Sequence, residues 1–377
     1  MAILSTFGAM TARGFGWLFQ AAVSVPSGAL YSWGNNTTGQ LGLGDLVDRS
    51  SPVQVGALTT WSVVITGSGW SGALKSDGTI WTWGQNTNGK LGLGDVTNRS
   101  SPVQVGAQTY WRAFNVGTAG DSSLAVTTTG TLWSWGVNNA GQLGLGDIAD
   151  RSSPVQIGAL TTWNTINVGN SFSLATKTDG TMWSWGTNNL GQCGLNDAID
   201  RSSPVQIGAL TTWSVINAGL GFSFAIKTNN TLWAWGYNAS GQLGTGNTTT
   251  LSSPVQIGAL TNWASVSAGN DHALAIKTDG TLWSWGLGTS GQLGSSALLS
   301  RSSPAQVGAL TTWSLVSAAG SAALAIKTDG TLWSWGLNTA GRLGLGDTVT
   351  RSSPVQVGTG TSWIKVDGNS QTSAIRT

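Results

Sequence analysis

The chain has 377 residues, of which only 8% are charged, and a formal net charge of +2. Every acidic residue is Asp, and there is no basic run or stripe to meet a nucleic-acid backbone and no apolar run long enough to span a membrane. A single Cys, Cys193, excludes an intrachain disulfide framework, and a single His, His272, leaves no constellation for a metal site or a Ser-His-Asp triad.

Residues 1–27 form an apolar, glycine-rich arm carrying Phe7, Phe15, Trp17, Leu18 and Phe19. Its first charge is Arg13 and its apolar stretch is broken by Gly and Gln, so it reads poorly as a secretory signal. An exposed aromatic cluster tends to seek an interface, so the arm is expected to be a docking segment. From Ser27 onward one frame repeats. Trp-Gly closes a strand at Gly34, Gly84, Gly136, Gly186, Gly236, Gly286 and Gly336, seven copies spaced by 50 residues except for one interval of 52. A unit of about 50 residues cannot bury its apolar surface alone, so the copies must stack into one body spanning 28–377.

Residues 263–313 show the unit. Trp263–Val266 reads as a strand, followed by a turn that holds His272 and a strand Leu274–Lys277. Asp279-Gly280 then predicts a type I′ hairpin, and Leu282–Gly286 is the next strand. After a polar loop containing Gly291-Gln292-Leu293-Gly294 comes a short strand around Pro304, which fits an edge where its missing N–H costs nothing. Four short strands per copy make one propeller blade. Both faces of these strands are apolar, as a sheet sandwiched between neighbours requires. Each Trp can bury about 150–250 Å², or roughly 4–6 kcal/mol as an upper bound. Most of the 22 Trp are therefore read as core, not as a cofactor box.

The C-terminal stretch from Trp363 supplies the strands that precede the Asp-Gly turn, and Ser27–Gly34 supplies the strand that follows it. Joined, the two ends complete one blade and remove the exposed sheet edges. The predicted fold is thus an all-β, seven-bladed β-propeller closed by pairing of N- and C-terminal strands.

Trp-Gly-x-Asn-x-x-Gly-Gln-Leu-Gly-Leu-Gly-Asp, as at Trp33–Asp45 and Trp135–Asp147, followed by Ser-Pro-Val-Gln-Val, resembles the regulator-of-chromosome-condensation family of seven-bladed propellers. The resemblance covers residues 27–377. It implies the propeller fold and admits several functions, including nucleotide exchange on a small GTPase, the role of the family's namesake. A photoreceptor of the family uses Trp clusters in the turn that holds His272 here; this chain has one Trp there, Trp70, which does not support photoreception.

Asp and Arg four apart recur at Asp45/Arg49, Asp95/Arg99, Asp147/Arg151, Asp197/Arg201 and Asp347/Arg351. The fifth copy loses both at Asn247 and Leu251, which reads as a structural clamp rather than catalysis. Cys193 occupies a column of Leu and reads as a packing substitution. One column varies: Trp70, Ser122, Phe172, Phe222, His272, Ala322 and Gln371, with a two-residue insertion before Ser122. Gathered near the ring axis, it is expected to offer a binding platform with an aromatic side for a glycan or a protein.

The leading expectation is a non-catalytic structural or adhesive protein that needs no cofactor or metal. It would attach by its arm to a large extracellular assembly, and the arm resembles leaders on bacteriophage virion structural proteins. The alternatives are an intracellular regulatory propeller such as a small-GTPase exchange factor, and a lectin-like glycan-binding module.

Overall fold

Each repeat forms one four-stranded antiparallel sheet. The computed structural model describes residues 26–117 and 120–377, and it places seven such sheets in a ring. We number the blades from the one containing Gly34. In blade two the strands run Trp61–Thr66, Trp70–Lys75, Ile80–Gly84 and Arg99–Gln104, from the axis outward. The first strands of neighbouring blades pack on one another in a closed circle, blade one against blade two included. Blades three to seven repeat this plan, starting at Trp111, Trp163, Trp213, Trp263 and Trp313.

Blade one is built from both ends of the chain. Its order is Trp363–Gly368, Gln371–Arg376, Ala29–Gly34, Arg49–Gln54. The two chain ends pair continuously, from Ala29 opposite Arg376 to Gly34 opposite Gln371. The inner half of this blade is therefore continuous with blade seven, and the outer half with blade two. The Ser-Pro strands lie outermost, as the Pro predicted.

The hairpin differs from its predicted type. Gly78 adopts φ +78° whereas Asp77 does not enter the left-handed region, and Lys75 N–H bonds to Thr79 O at 3.0 Å. This is a three-residue connection, a tight turn followed by one left-handed residue. The Asp carboxylate instead accepts the Thr79 N–H at 3.0 Å and the Thr79 hydroxyl at 2.6 Å. In blade five Asn230, at φ 60°, takes the glycine's place.

What recurs in the repeat is used between blades. The Trp before the strand-ending Gly of each third strand donates its Nε1–H to a loop carbonyl of the preceding blade, as Trp83 does to Gln40 O at 2.9 Å and Trp33 to Arg342 O at 2.9 Å. A glycine of that same loop lies flat on the ring: a Cβ on Gly42 would stand 2.8 Å from Trp83 Nε1. Farther out, Gly44 N–H bonds to Ser100 O of the next blade at 2.8 Å, and Gly346 N–H to Ser50 O at 2.8 Å. The apolar clusters likewise draw from two adjacent blades, as when Leu315 and Leu324 of blade seven meet Trp363 and Trp33 of blade one.

The Asp/Arg pairs are the clamp the sequence suggested. Arg49 Nη2 lies 2.5 Å from Asp45 Oδ2, and the other four pairs lie at 2.5–2.6 Å. Asp45 Oδ1 also accepts from Val47 N–H and from the Asn36 amide, so the carboxylate organises its loop. Cys193 is buried among Leu174, Met182 and Trp235, and burial pushes its thiol up to about 12.

Candidate functional site

In every blade the first strand runs toward a short turn (67–69 in blade two) and the third toward the long polar loop (85–98). These two segments share one face of the ring, the turn face, while the Asp-Gly hairpins occupy the opposite face. The variable column opens the second strands on the turn face.

The structure corrects the expected aromatic platform. Trp70, Ser122, Phe172, Phe222, His272, Ala322 and Gln371 are all buried, at 0–1% exposure. Each is paired with the strand-ending glycine, as Trp70 is with Gly84. The aromatic members tuck beneath the turn that precedes them. A Cβ on Gly67 would stand 2.3 Å from Trp70 Nε1, and one on Gly269 2.4 Å from His272 Cε1. Phe172 joins Trp213 and Ala218 of the next blade in one apolar cluster. Gln371 reaches farther: its Nε2 donates to Trp70 O at 2.8 Å and Gly67 O at 3.1 Å in blade two. These seven side chains shape the turns from below. The arm residues Phe7, Phe15, Trp17, Leu18 and Phe19 lie outside the described residues.

Ser68, Asp121, Asn170, Asp271, Ser321 and Ser370 reach water on this face. Behind them runs a polar column at Gln40, Lys90, Gln142, Gln192, Gln242, Gln292 and Arg342. Lys90, 1% exposed, bonds to Gln85 Oε1 at 2.7 Å and pairs with Asp121 of blade three at 2.8 Å. Burial pulls the Lys90 ammonium below its ordinary pKa, and Asp121 opposes that shift. Arg342 Nη1 donates to Asn369 O of blade one at 3.1 Å. Burial raises the Asp271 carboxyl.

One set of buried polar residues that join the blades was missed by sequence reasoning. The fifth residue of each first strand is Ile65, Asn115, Asn167, Asn217, Ser267, Ser317 or Asp367. Asn115 Oδ1 accepts the Val168 N–H of the next blade at 2.9 Å, Asn167 Oδ1 that of Ala218 at 2.8 Å, Asn217 Oδ1 that of Ala268 at 2.7 Å, and Ser267 Oγ that of Ala318 at 2.9 Å. Asp367 takes the Thr66 N–H at 2.8 Å and its hydroxyl at 3.1 Å, while its other oxygen accepts the Ser317 hydroxyl at 2.9 Å. These side chains form a collar around the axis, interrupted only at Ile65. Two residues before Asp367 on the same strand, burial pushes the Lys365 ammonium down to about 8.

Among the described residues no three His, Cys, Asp or Glu side chains cluster as metal ligands, and no helix is long and apolar enough to cross a membrane.

The family model for the RCC1-like domain matches residues 14–262, and models for the regulator of chromosome condensation (RCC1) repeat match 263–292, 279–326 and 329–375. The chain belongs to the RCC1-like family. Among solved structures, human WBSCR16 superposes with a TM-score of 0.83 at 20% identity, covering 93% of this chain and 98% of that one. Prp20p from Saccharomyces cerevisiae, in a structure concerned with its binding to Gsp1p and histones, superposes at 0.82 and 20% identity, covering 94% and 93%. A structure of Kap60 bound to yeast RCC1 (Prp20) gives 0.81 at 20%, covering 93% and 90%. At this identity the likeness is one of fold. A search of curated proteins finds no matching sequence.

Proposed function

We propose that this member of the family is a non-catalytic, protein-binding propeller of the regulatory kind, and that it meets its partner through the turn face. The observation that carries the reading is how the repeat divides its residues. Groups that recur are engaged in the seams, while polar groups that differ from blade to blade, among them Ser68, Asp121, Asn170 and Asp271, stand around one face. A broad ring of dissimilar polar turns suits a macromolecule; small ligands favour enclosing, largely apolar cavities.

The binding of Prp20p to Gsp1p and histones supports a protein partner by analogy of fold. The comparisons favour this regulatory alternative over the structural, virion-borne role that the arm first suggested. The lectin-like reading loses its motive with the burial of Trp70, Phe172 and Phe222. The docking role of residues 1–27 stands as a separate proposal: their deletion is expected to abolish incorporation into any assembly, and unchanged incorporation contradicts it.

The test is binding of a small GTPase and of histones to the immobilised ring, with Asp271→Arg on the turn face and Asp279→Arg on the hairpin face. Binding lost only with the turn-face variant is expected, and accelerated nucleotide release from the GTPase would specify exchange. Binding that survives on the turn face and fails on the hairpin face contradicts the reading.

A further inference from the structure

Five blades seat a lysine of their own on an aromatic pair at the hairpin face and blade one sets an arginine against a single indole, whereas among the described residues blade three has no such cation. In blades two, four, five, six and seven the lysine that ends the second strand places Nζ 3.5–3.7 Å above the outer indole, as in Lys75 over Trp81 and Lys277 over Trp283. The same Nζ lies 4.8–5.0 Å from the first-strand indole. Blade one uses Arg376, 5.7 Å from Trp363. The negative face of an indole attracts a cation, and partial burial strengthens the attraction.

Blade three keeps the aromatic pair and changes everything around it. Trp111 and Trp133 stand 5.9 Å apart at 88°, matching Trp61 and Trp81 at 6.1 Å and 82°. The lysine position is Thr127, whose hydroxyl is turned to Thr129 Oγ1 at 2.9 Å and Thr131 Oγ1 at 2.6 Å. The turn Asp is Thr129, so both hairpin charges are lost together. Tyr110, 40% exposed, stands where the sister blades carry Thr, Asn or Ser, and its ring lies 5.5 Å from Trp111. Arg112, next to Trp111, is directed elsewhere: its Nη2 donates to Trp163 O at 3.0 Å in the next blade. Among the described residues, no side chain brings a positive charge to the Trp133 face.

We propose that this corner, formed by Trp111, Trp133 and Tyr110, receives the lysine side chain of a protein partner, with the ammonium seated on Trp133. The five lysine-bearing sisters show where an ammonium sits on the outer indole, 3.5–3.7 Å from the ring centroid, and the incoming lysine would bring its stem from outside the chain. The site goes beyond the turn-face reading and rests on it only in taking the ammonium from a protein.

The test uses the full chain and n-butylammonium as a stand-in for the lysine side chain, with n-butanol as the uncharged control. Indole N–H resonances are followed by NMR and assigned through Trp→Phe variants. Saturable shifts of Trp111 and Trp133 with butylammonium alone are expected, with Trp81, Trp183 and Trp233 unmoved. Thr127→Lys, which installs the sister residue, is expected to abolish the response, and Tyr110→Thr to weaken it. Absence of a saturable shift at Trp133 in the wild-type chain, equal shifts in the lysine-bearing blades, or a response that survives Thr127→Lys would each overturn the proposal. None of these outcomes depends on whether a partner binds the turn face.

Discussion

The seam between blades one and two and the seam between blades two and three hold the same geometry with opposite chemistry. At the first, Asp367 bonds to Thr66 and Gln371 to Trp70 and Gly67, across about 300 residues of sequence. These bonds tie the C-terminal half of blade one to the blade that continues from its N-terminal half, so they reinforce the one place where the ring has no covalent continuity. At the second seam the collar residue is Ile65, and the interface is apolar. Gly72 stands where the other blades carry Leu, Phe or Ser, and Phe114 fills the space, stacked on Trp135 at 5.7 Å. The polar link has moved outward to Lys90 and Asp121. The closure thus carries two buried polar links of its own, whereas between blades two and three the collar bond is missing and packing, the Lys90–Asp121 pair and the recurrent seam bonds, such as Trp135 Nε1–H to Lys90 O at 3.1 Å, remain.

The largest way to break this contrast is Asp367→Ala. It strands the Thr66 N–H and two hydroxyls in the interior, and unsatisfied buried donors of this kind are expected to cost about 2–4 kcal/mol in denaturant unfolding. Asp367→Asn, which keeps an acceptor, should cost less. Gly72→Ala tests the apolar seam. Its Cβ would lie 2.4 Å from the Phe114 ring, and overpacking of this sort costs about 1–3 kcal/mol. Phe114→Val, the β-branched type found in most sister blades, should recover most of that loss; a double variant no more stable than Gly72→Ala alone would contradict the pairing.

A finer test concerns the ion pair. Asp121→Asn leaves a buried ammonium without its counter-charge, while Lys90→Gln restores the sister residue, so the first should lower the melting temperature more than the second. The smallest effect is acid sensitivity of the loop clamps. The N–H of the residue two places on, then the paired Arg, hold the carboxyls of Asp45, Asp95, Asp147, Asp197 and Asp347 below 3.8. Their stabilisation is present above that value and fades as pH falls through the lowered folded pKa. Blade five, with Asn247 in place of Asp, should show no such local loosening when its loop amides are followed by NMR down the titration.

The architecture was legible because it is periodic: Trp-Gly every 50 residues, and two incomplete ends that sum to one blade. The ion clamps were legible because their partners lie four residues apart. The turn column was misread for a physical reason. A variable residue beside a turn looks exposed, yet the side chain at Trp70 or Phe172 folds under the turn glycine toward the next blade, which a single copy of the repeat does not contain. The collar was invisible on the same ground. Asn167 sits in a short apolar strand, and its partner is a backbone amide 51 residues away that no side-chain pattern marks. Turn type was lost because Asp-Gly is compatible with two connections, and the Asp carboxylate's bonds to Thr79 select the longer one.

Amide hydrogen exchange at the collar tests the account most directly. The Thr66, Val168, Ala218, Ala268 and Ala318 amides each donate to a side chain of the preceding blade. Val116 faces Ile65, which has no acceptor to offer. A hydrogen bond worth about 1 kcal/mol corresponds to roughly fivefold in local opening. The account predicts that Val116 exchanges at least about fivefold faster than its five counterparts, and that Asp367→Ala brings Thr66 to the same rate. Protection at Val116 equal to that of the other five would contradict it.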